Sequence, residues 1–149
     1  MLQDFKTALI LNSAGHMQMN TTLCKYVPSG SPVEVGLLNF AASIGLDIYE
    51  KMIARENESK FTLCAWLPFA SERQCMTVAY IDHSHDENLV KVIMKGSPES
   101  VLSRSTKAFD QYGQENPIEV HHTMQQIERE VILHEDDGQP MGLKAISFA

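Results

Sequence analysis

The chain has 149 residues, of which 44% are hydrophobic and 21% are charged, as is usual for one globular domain with a sizeable core. Its net charge of −7 disfavours a nucleic-acid partner, because a negative surface repels phosphates. Three cysteines without a C-x-x-C pair indicate neither a disulfide framework nor a zinc site. No apolar stretch reaches the ~20 residues that a bilayer crossing needs. We therefore expect a single monomeric domain over residues 1–149 that does not itself insert into a membrane.

The first segments of the chain are predicted to be mainly helical. Apolar residues at helical spacing predict an amphipathic helix over residues 2–14. Residues 16–26 are polar and irregular, with room for one short strand. A second helix is expected over residues 32–45, with a proline first. Ser31 and Glu34 form a capping-box pattern at its start.

The middle of the chain is predicted to supply most of a sheet. After a third helix over residues 47–55, strands are expected over residues 61–68, 74–82 and 89–95. A short polar turn joins the last two strands as an antiparallel hairpin. Ser97 is then the expected N-cap of a short helix that has a proline as its first residue.

The remainder is predicted to contain a loop over residues 105–117, a helix over residues 118–134, an exposed acidic turn over residues 135–138 and a strand over residues 143–148. Because the chain stops within that strand, we expect the sequence to be a segment of a larger protein. Helices, then an antiparallel strand cluster, then a helix and a strand indicate an α+β fold rather than alternating βαβ units.

Several common catalytic motifs are absent from the sequence. It contains no G-x-x-x-x-G-K-[ST], G-x-G-x-x-G, H-E-x-x-H or G-x-S-x-G pattern. The histidines and aspartate of residues 83–86 lie in a polar turn. His121 and His122 are neighbours on a predicted helix and point to different faces. We interpret both groups as solvated side chains rather than metal ligands.

The sequence K-G-S-P-E at residues 95–99 is the most suggestive local feature. Lys95 ends a strand, Gly96 permits a close approach to the backbone, and the following helix start favours anions. A strand–turn–helix junction also needs glycine and proline for structural reasons alone. The motif therefore indicates a ligand site only if it has a partner motif elsewhere in the chain.

The partner is the segment over residues 66–78, which turns from one strand into the next. Pro68 favours an extended approach that leaves Phe69 at the end of a strand. A phenyl ring in that place can stack on a purine, which contributes roughly 1–3 kcal/mol, and Met76 can form an apolar wall beside it. The alternative interpretation is that both side chains belong to the core of the sheet.

Four blocks resemble, in order, the N domain of P-type cation-transporting ATPases. P-F-A-S-E-R-Q-C-M-T-V at residues 68–78 is similar to the family's P-F-x-S-x-R-K-x-M-S-V, and K-G-S-P-E at residues 95–99 is similar to K-G-[AS]-P-E. G-S-P-V-E-V-G-L-L at residues 30–38 resembles G-[DS]-P-T-E-x-A-L-L, and G-L-K-A-I-S-F-A at residues 142–149 resembles G-L-R-x-L-A-x-A. Asn12 and Ser13 match the family's first helix. The resemblance implies a twisted, mainly antiparallel β-sheet flanked by helices.

The resemblance also implies an adenine site. By this likeness Phe69 stacks on adenine and Glu34 lies near the adenine amino group. Met76 forms a wall of the pocket, and Ile146 makes an apolar contact on the adenine side.

The same resemblance implies contacts deeper in the pocket and toward the phosphates. Lys95 matches a lysine beside the nucleotide, and Gly96 and Ser97 match the backbone that admits it. Lys144 matches an arginine that reaches toward the phosphates, and a lysine there loses the bidentate fork. The expected nucleotide-binding residues are completed by Ser71 and Arg73.

Two further positions depart from the family's pattern, and one essential motif is missing. Gln74 replaces a common lysine, and Val33 replaces a threonine beside Glu34. The D-K-T-G-T motif with the phosphorylated aspartate is absent. The likeness thus implies a fragment that binds ATP but is inactive alone. In the intact pump it would work with magnesium and with the phosphorylation and actuator domains, on the cytoplasmic side of a membrane. Residues 68–73 look most like plasma-membrane-type calcium pumps.

Two other functions stay open at this stage. The first is an N-domain-like scaffold with little or no nucleotide binding, which the changes at Gln74 and Val33 favour. The second is a regulatory interaction module that docks a partner through the acidic segment over residues 128–137. Such a charged run is commonly a solvated face.

Overall fold

A computed structural model describes residues 2–49, 60–84, 89–110, 112–133, 135–136, 139–140 and 144–149. Its backbone contacts divide the chain into two compact units. The first unit contains Leu2–Pro68 and Thr77–Ile93, and the second contains Phe69–Met76 and Met94–Ala149.

The first unit opens with a helix and a hairpin. Helix α1 spans Leu2–Leu11, and strands β1 (His16–Asn20) and β2 (Lys25–Ser29) pair antiparallel from His16 opposite Ser29 to Asn20 opposite Lys25. The segment predicted to be irregular thus forms two paired strands. Its turn is stabilised locally, because the side-chain oxygen of Asn20 accepts a hydrogen bond of 2.9 Å from the backbone of Leu23.

Helix α2 spans Pro32–Ser43 and begins as predicted. The Ser31 hydroxyl accepts a hydrogen bond from the backbone N–H of Glu34 at 3.3 Å, which confirms the N-cap. The helix ends two residues before Gly45, which has a φ of +81°. Only the start of the helix predicted over residues 47–55 is described, where Ile48 and Tyr49 are helical; the rest lies outside the described residues.

Apolar side chains from these elements form the core of the first unit. Phe5 and Phe40 meet edge to face with their ring centres 6.4 Å apart, and Phe61 meets Tyr80 in the same way at 5.7 Å. The buried apolar residues of this unit include Leu9, Ile10, Leu38, Ala41, Ile48 and Val78.

A four-stranded sheet confirms the predicted antiparallel cluster. Strands β3 (Phe61–Ala70), β4 (Cys75–Asp82) and β5 (Val90–Gly96) are neighbours in the order β5-β4-β3. Strand β10 (Ser147–Phe148) pairs with β5 on the other side and is shorter than the strand predicted over residues 143–148. Within the described strands β3 therefore forms one edge, and most of its residues are exposed.

The rest of the second unit consists of short elements. Helix α3 spans Pro98–Leu102, and β6 (Lys107–Phe109) pairs antiparallel with β7 (Glu115–Pro117). Helix α4 covers Val120–Ile127 and continues as a π-helical turn over Glu128–Ile132, which confirms the predicted helix with later bounds at its start. The first two residues of the predicted acidic turn instead form strand β8 (Glu135–Asp136), which pairs with β9 (Gln139–Pro140). Residues 137 and 138 of that turn lie outside the described residues.

The prediction of a loop over residues 105–117 is wrong, and Asp110 provides the reason. One carboxylate oxygen of Asp110 accepts 2.9 Å hydrogen bonds from the backbone N–H groups of Gln114 and Tyr112, and the other accepts one of 3.1 Å from the Asn116 side chain. A side chain that satisfies the backbone of its own turn can close a hairpin without an apolar pattern. Lys107 and Glu115 add an exposed ion pair of 2.9 Å.

We predict that acid loosens the β6–β7 hairpin. The hydrogen bond from Gln114, followed by those from Tyr112 and Asn116, lowers the pKa of Asp110 below its ordinary value of 3.8. A lowered folded-state pKa means that the contribution is complete above pH 3.8 and is lost as the pH falls through the folded value. An NMR titration of the Gln114 amide should show this transition, and Asp110→Asn should remove it. A Gln114 resonance that moves equally in both proteins would contradict the assignment.

Candidate functional site

The predicted motif at the end of β5 lies at a junction of three elements of the second unit. Lys95 pairs with Phe148 of β10 and Gly96 pairs with Ser147. The Lys95 side chain is buried, with 6% of its surface exposed. Ser97 caps α3 through a 3.3 Å hydrogen bond from the backbone of Ser100, as predicted. With five residues, α3 is too short for its N-terminus to count as an anion site on its own.

Gly96 is required by the close approach of the neighbouring strand. A Cβ atom built at Gly96 would overlap the carbonyl oxygen of Gln74 and would lie 2.7 Å from the Cβ of Cys75. The space beside this glycine is therefore filled by the start of β4. The glycine has a structural cause, and its expected role in admitting a nucleotide stays a prediction.

The segment that connects β3 to β4 presents an exposed ring. Phe69 is the penultimate residue of β3, and 62% of the residue's surface is exposed. It is therefore not a core phenylalanine. Met76 lies in β4 with 2% exposed and is part of the core. The turn closes when Arg73 and Gln74 donate backbone hydrogen bonds of 3.1 and 2.8 Å to the carbonyl of Ala70. Gln74 takes a φ of +51° there.

The last predicted block leads into β10. Lys144 is exposed, and Ile146 is 38% exposed two residues before Phe148. The second unit thus holds most of the predicted site residues: Phe69, Ser71, Arg73, Met76, Lys95, Gly96, Ser97, Lys144 and Ile146. Ser71 and Arg73 are exposed in the turn after β3.

The tenth predicted residue, Glu34, belongs to the first unit. Its carboxylate is nearly buried, with 8% of the residue exposed, and accepts a 2.9 Å hydrogen bond from the hydroxyl of Ser13. The same hydroxyl accepts a 3.1 Å hydrogen bond from the backbone of Gly15. Glu34 is therefore fixed by the end of the first helix, and its expected contact with adenine stays a prediction.

Sequence reasoning missed two residues that organise the turn between β3 and β4. Gln74 was considered only as a replaced lysine, but its side chain accepts a 3.2 Å hydrogen bond from the Ser97 hydroxyl. Ser100 was not considered, although its hydroxyl donates a 2.7 Å hydrogen bond to the carbonyl of Arg73. The only signal in the sequence was a serine three residues after the predicted N-cap. That signal does not identify the partner of Ser100, because Arg73 lies 27 positions away.

A cavity of about 280 Å³ lies in the first unit, and its lining contains none of the predicted site residues. It is mainly apolar, and burial raises the pKa of Tyr80 in its wall. Its lining consists of Leu11, Ser13, Ala14, Phe61, Leu63, Trp66, Val78 and Tyr80.

His83 shares a 2.8 Å hydrogen bond with the hydroxyl of Thr62, while residues 85 and 86 lie outside the described residues. Across the described ranges there is no cluster of three or more histidine, cysteine, aspartate or glutamate side chains that could hold a metal ion. In the same part of the chain no helix combines the length and apolarity needed to cross a membrane.

Comparison with known families identifies the class. A family model described as P-type ATPase, cytoplasmic domain N, matches residues 2–148. The chain therefore belongs to the N-domain family of P-type ATPases, and its α+β architecture agrees with that membership. A nucleotide-binding role in general fits this family, as do ATP, Mg²⁺ and the other pump domains as partners of the intact pump. A comparison with curated proteins finds no match.

We predict that Gly96→Ala destabilises the chain. The added methyl group must displace the backbone of Gln74 and Cys75, an overpacking that costs about 1–3 kcal/mol in the free energy of unfolding. Urea denaturation measures this loss. Gly36→Ala is the matched control, because nothing lies within 4 Å of a Cβ at Gly36 in α2. The control should stabilise by up to about 1 kcal/mol. Equal effects of the two substitutions would contradict the close approach.

Proposed function

We propose that this chain binds ATP through the second unit, with the adenine ring on Phe69 and Lys95 on the phosphate side. The observation that carries the proposal is the exposed ring at the end of β3. Phe69 is 62% exposed in a strand whose neighbouring strand buries its own apolar residues. Stacking of a flat ligand on a large exposed ring is favourable, because it removes apolar surface from water.

Three cations of the same unit give the proposed site its charge. Lys95 is buried at the end of β5, and Arg73 and Lys144 are exposed in the same unit. Arginine and lysine are the usual partners of phosphate groups in proteins. The buried lysine is ordered by its surroundings, whereas the exposed Lys144 must lose side-chain freedom when a phosphate binds.

The expected affinity is low. One stacking contact and one or two charge-assisted contacts leave only a few kcal/mol after the cost of association. This corresponds to a dissociation constant of about 0.1 to several mM. Ser71, Gly96, Ser97 and Ile146 complete the proposed lining on the adenine and backbone sides.

In the intact pump we propose that the domain presents the γ-phosphate of ATP to the catalytic aspartate of the phosphorylation domain. Domain closure would deliver the nucleotide, and magnesium would neutralise the transferred group at that second domain. The chain lacks a D-K-T-G-T motif, so we expect no hydrolysis by the chain alone. We propose calcium as the transported cation and the cytoplasmic face of a membrane as the location, on the likeness of residues 68–73.

We predict that Phe69→Ala weakens ATP binding at least about fivefold, because it removes a stack worth roughly 1–3 kcal/mol. An NMR titration with ATP measures the change. Phe109→Ala is the matched control, since Phe109 is also an exposed phenylalanine in a strand of the second unit, at 54%. ATP-induced shifts that survive Phe69→Ala unchanged would remove the proposed adenine platform.

A second candidate is a partner-docking module, because helix α4 has no buried residue among Val120–Ile127. The acidic residues Glu128 and Glu130 follow it, and Leu133 is 62% exposed. An amphipathic helix without a fully buried residue presents apolar surface that another protein can cover.

Titrations with ATP, AMP and GTP separate the two candidates. For a nucleotide site we predict that ATP binds more tightly than AMP, because AMP lacks the β- and γ-phosphates, and that GTP binds more weakly, because its base presents different edge groups. Chemical-shift changes at Phe69 and Lys95 should show this order of affinities. A docking module would respond to none of the three nucleotides.

A further inference from the structure

Two serines, the N-cap residue Ser97 and Ser100 within α3, hold the turn between β3 and β4. The backbone N–H of Ser97 donates a 3.0 Å hydrogen bond to the carbonyl of Gln74, and its hydroxyl donates one of 3.2 Å to the side-chain oxygen of Gln74. The hydroxyl of Ser100 donates a 2.7 Å hydrogen bond to the carbonyl of Arg73. The last two residues of the turn are thus attached to α3 at three points.

Ser100 is the buried member of this group. It is 8% exposed, so its hydroxyl has little access to water as an alternative partner. The guanidinium of Arg104 donates a 2.9 Å hydrogen bond to the Ser100 hydroxyl oxygen and a second one to the Ser100 carbonyl. A cationic donor on the oxygen polarises the O–H bond, which strengthens the hydrogen bond that the hydroxyl gives to Arg73.

These contacts connect the two ends of the proposed nucleotide site. The turn begins after Phe69 and Ala70, and α3 begins after Lys95 and Gly96. The turn is exposed, with a left-handed residue at Gln74, and its end packs closely against Gly96. The hydrogen bonds from α3 add to this packing and hold the turn in position relative to the end of β5.

We propose that Ser100, supported by Arg104, is a positioning residue of the nucleotide site. It fixes the strand end that carries Phe69 at the distance from Lys95 that a bound nucleotide must span. The role rests on the proposed function, because it acts through Phe69 and Lys95. ATP contacts both ends of the site at once, whereas adenosine needs only the ring. Loss of the Ser100 hydroxyl therefore weakens ATP binding and leaves adenosine binding nearly unchanged.

The test compares Ser100→Ala with Ser105→Ala in the full chain. Ser105 is the matched control, because its hydroxyl donates a 2.9 Å hydrogen bond to the helix carbonyl of Val101 and does not touch the turn. NMR titrations give the affinities for ATP and for adenosine. For Ser100→Ala we expect ATP affinity to fall about three- to tenfold, the usual effect of one buried hydrogen bond. Adenosine affinity should change less than about twofold. Ser105→Ala should leave both affinities unchanged.

Two further variants and a second measurement protect the test against simple unfolding. Ser100→Thr keeps the hydroxyl and should retain the ATP affinity of the unsubstituted chain. Arg104→Met, at an exposed position, should lower ATP affinity by a smaller factor than Ser100→Ala does. Hydrogen exchange at the Ser97 amide, which donates to Gln74, should be faster in Ser100→Ala and unchanged in Ser105→Ala.

The outcomes distinguish the positioning role from the proposed function. ATP binding by the unsubstituted chain, with unchanged ATP affinity and Ser97 exchange in Ser100→Ala, would overturn the positioning role alone. Equal losses of ATP and adenosine affinity in Ser100→Ala would also overturn it, because a general loss of fold has that result. Failure of the unsubstituted chain to bind ATP would overturn the proposed function, and the positioning role with it.

Discussion

At Gly96 the end of β5 lies so close to Gln74 and Cys75 that a single methyl group would not fit between them. This close approach sets the geometry of the second unit. It places the carbonyl of Gln74 within hydrogen-bonding distance of the Ser97 amide, and it ends β5 where α3 must begin. The glycine, serine and proline of the K-G-S-P-E sequence thus each have a structural role. The glycine permits the close approach of a neighbouring strand, and the serine and proline start the helix.

The turn before β4 sets which side chains remain accessible. Side chains alternate between the two faces of a strand, and those on the face that packs against other elements are buried. In β4 this alternation buries Met76 and Val78, whereas β3 lies at the edge of the described sheet and leaves Phe69 exposed. The two residues that the motif presents together therefore have different physical roles. Phe69 offers an exposed surface, and Met76 belongs to the buried core.

Local signals in the sequence predicted the parts of the fold that depend on local contacts. The caps at Ser31 and Ser97 were predictable, because each serine and its amide partner lie three positions apart. The hairpin around Asp110 was missed, although its hydrogen bonds are local, because its strands have no apolar alternation. The contacts of Ser13 with Glu34 and of Ser100 with Arg73 join residues 21 and 27 positions apart, and no pattern in one sequence specifies such pairs.

A site built from one exposed ring and one buried lysine binds its ligand weakly for a physical reason. Stacking buries only the area that a purine covers on one side of the ring, and the exposed Lys144 loses side-chain freedom when it orders around a phosphate. A higher affinity for ATP would require more ligand-contacting side chains that are already ordered before ATP binds. The hydrogen bonds from α3 to the turn fix the backbone rather than the ligand-facing side chains, so they improve geometry without adding contacts. Weak but oriented binding suits a domain that, on the proposed function, must hand its phosphate to another domain and release the remainder.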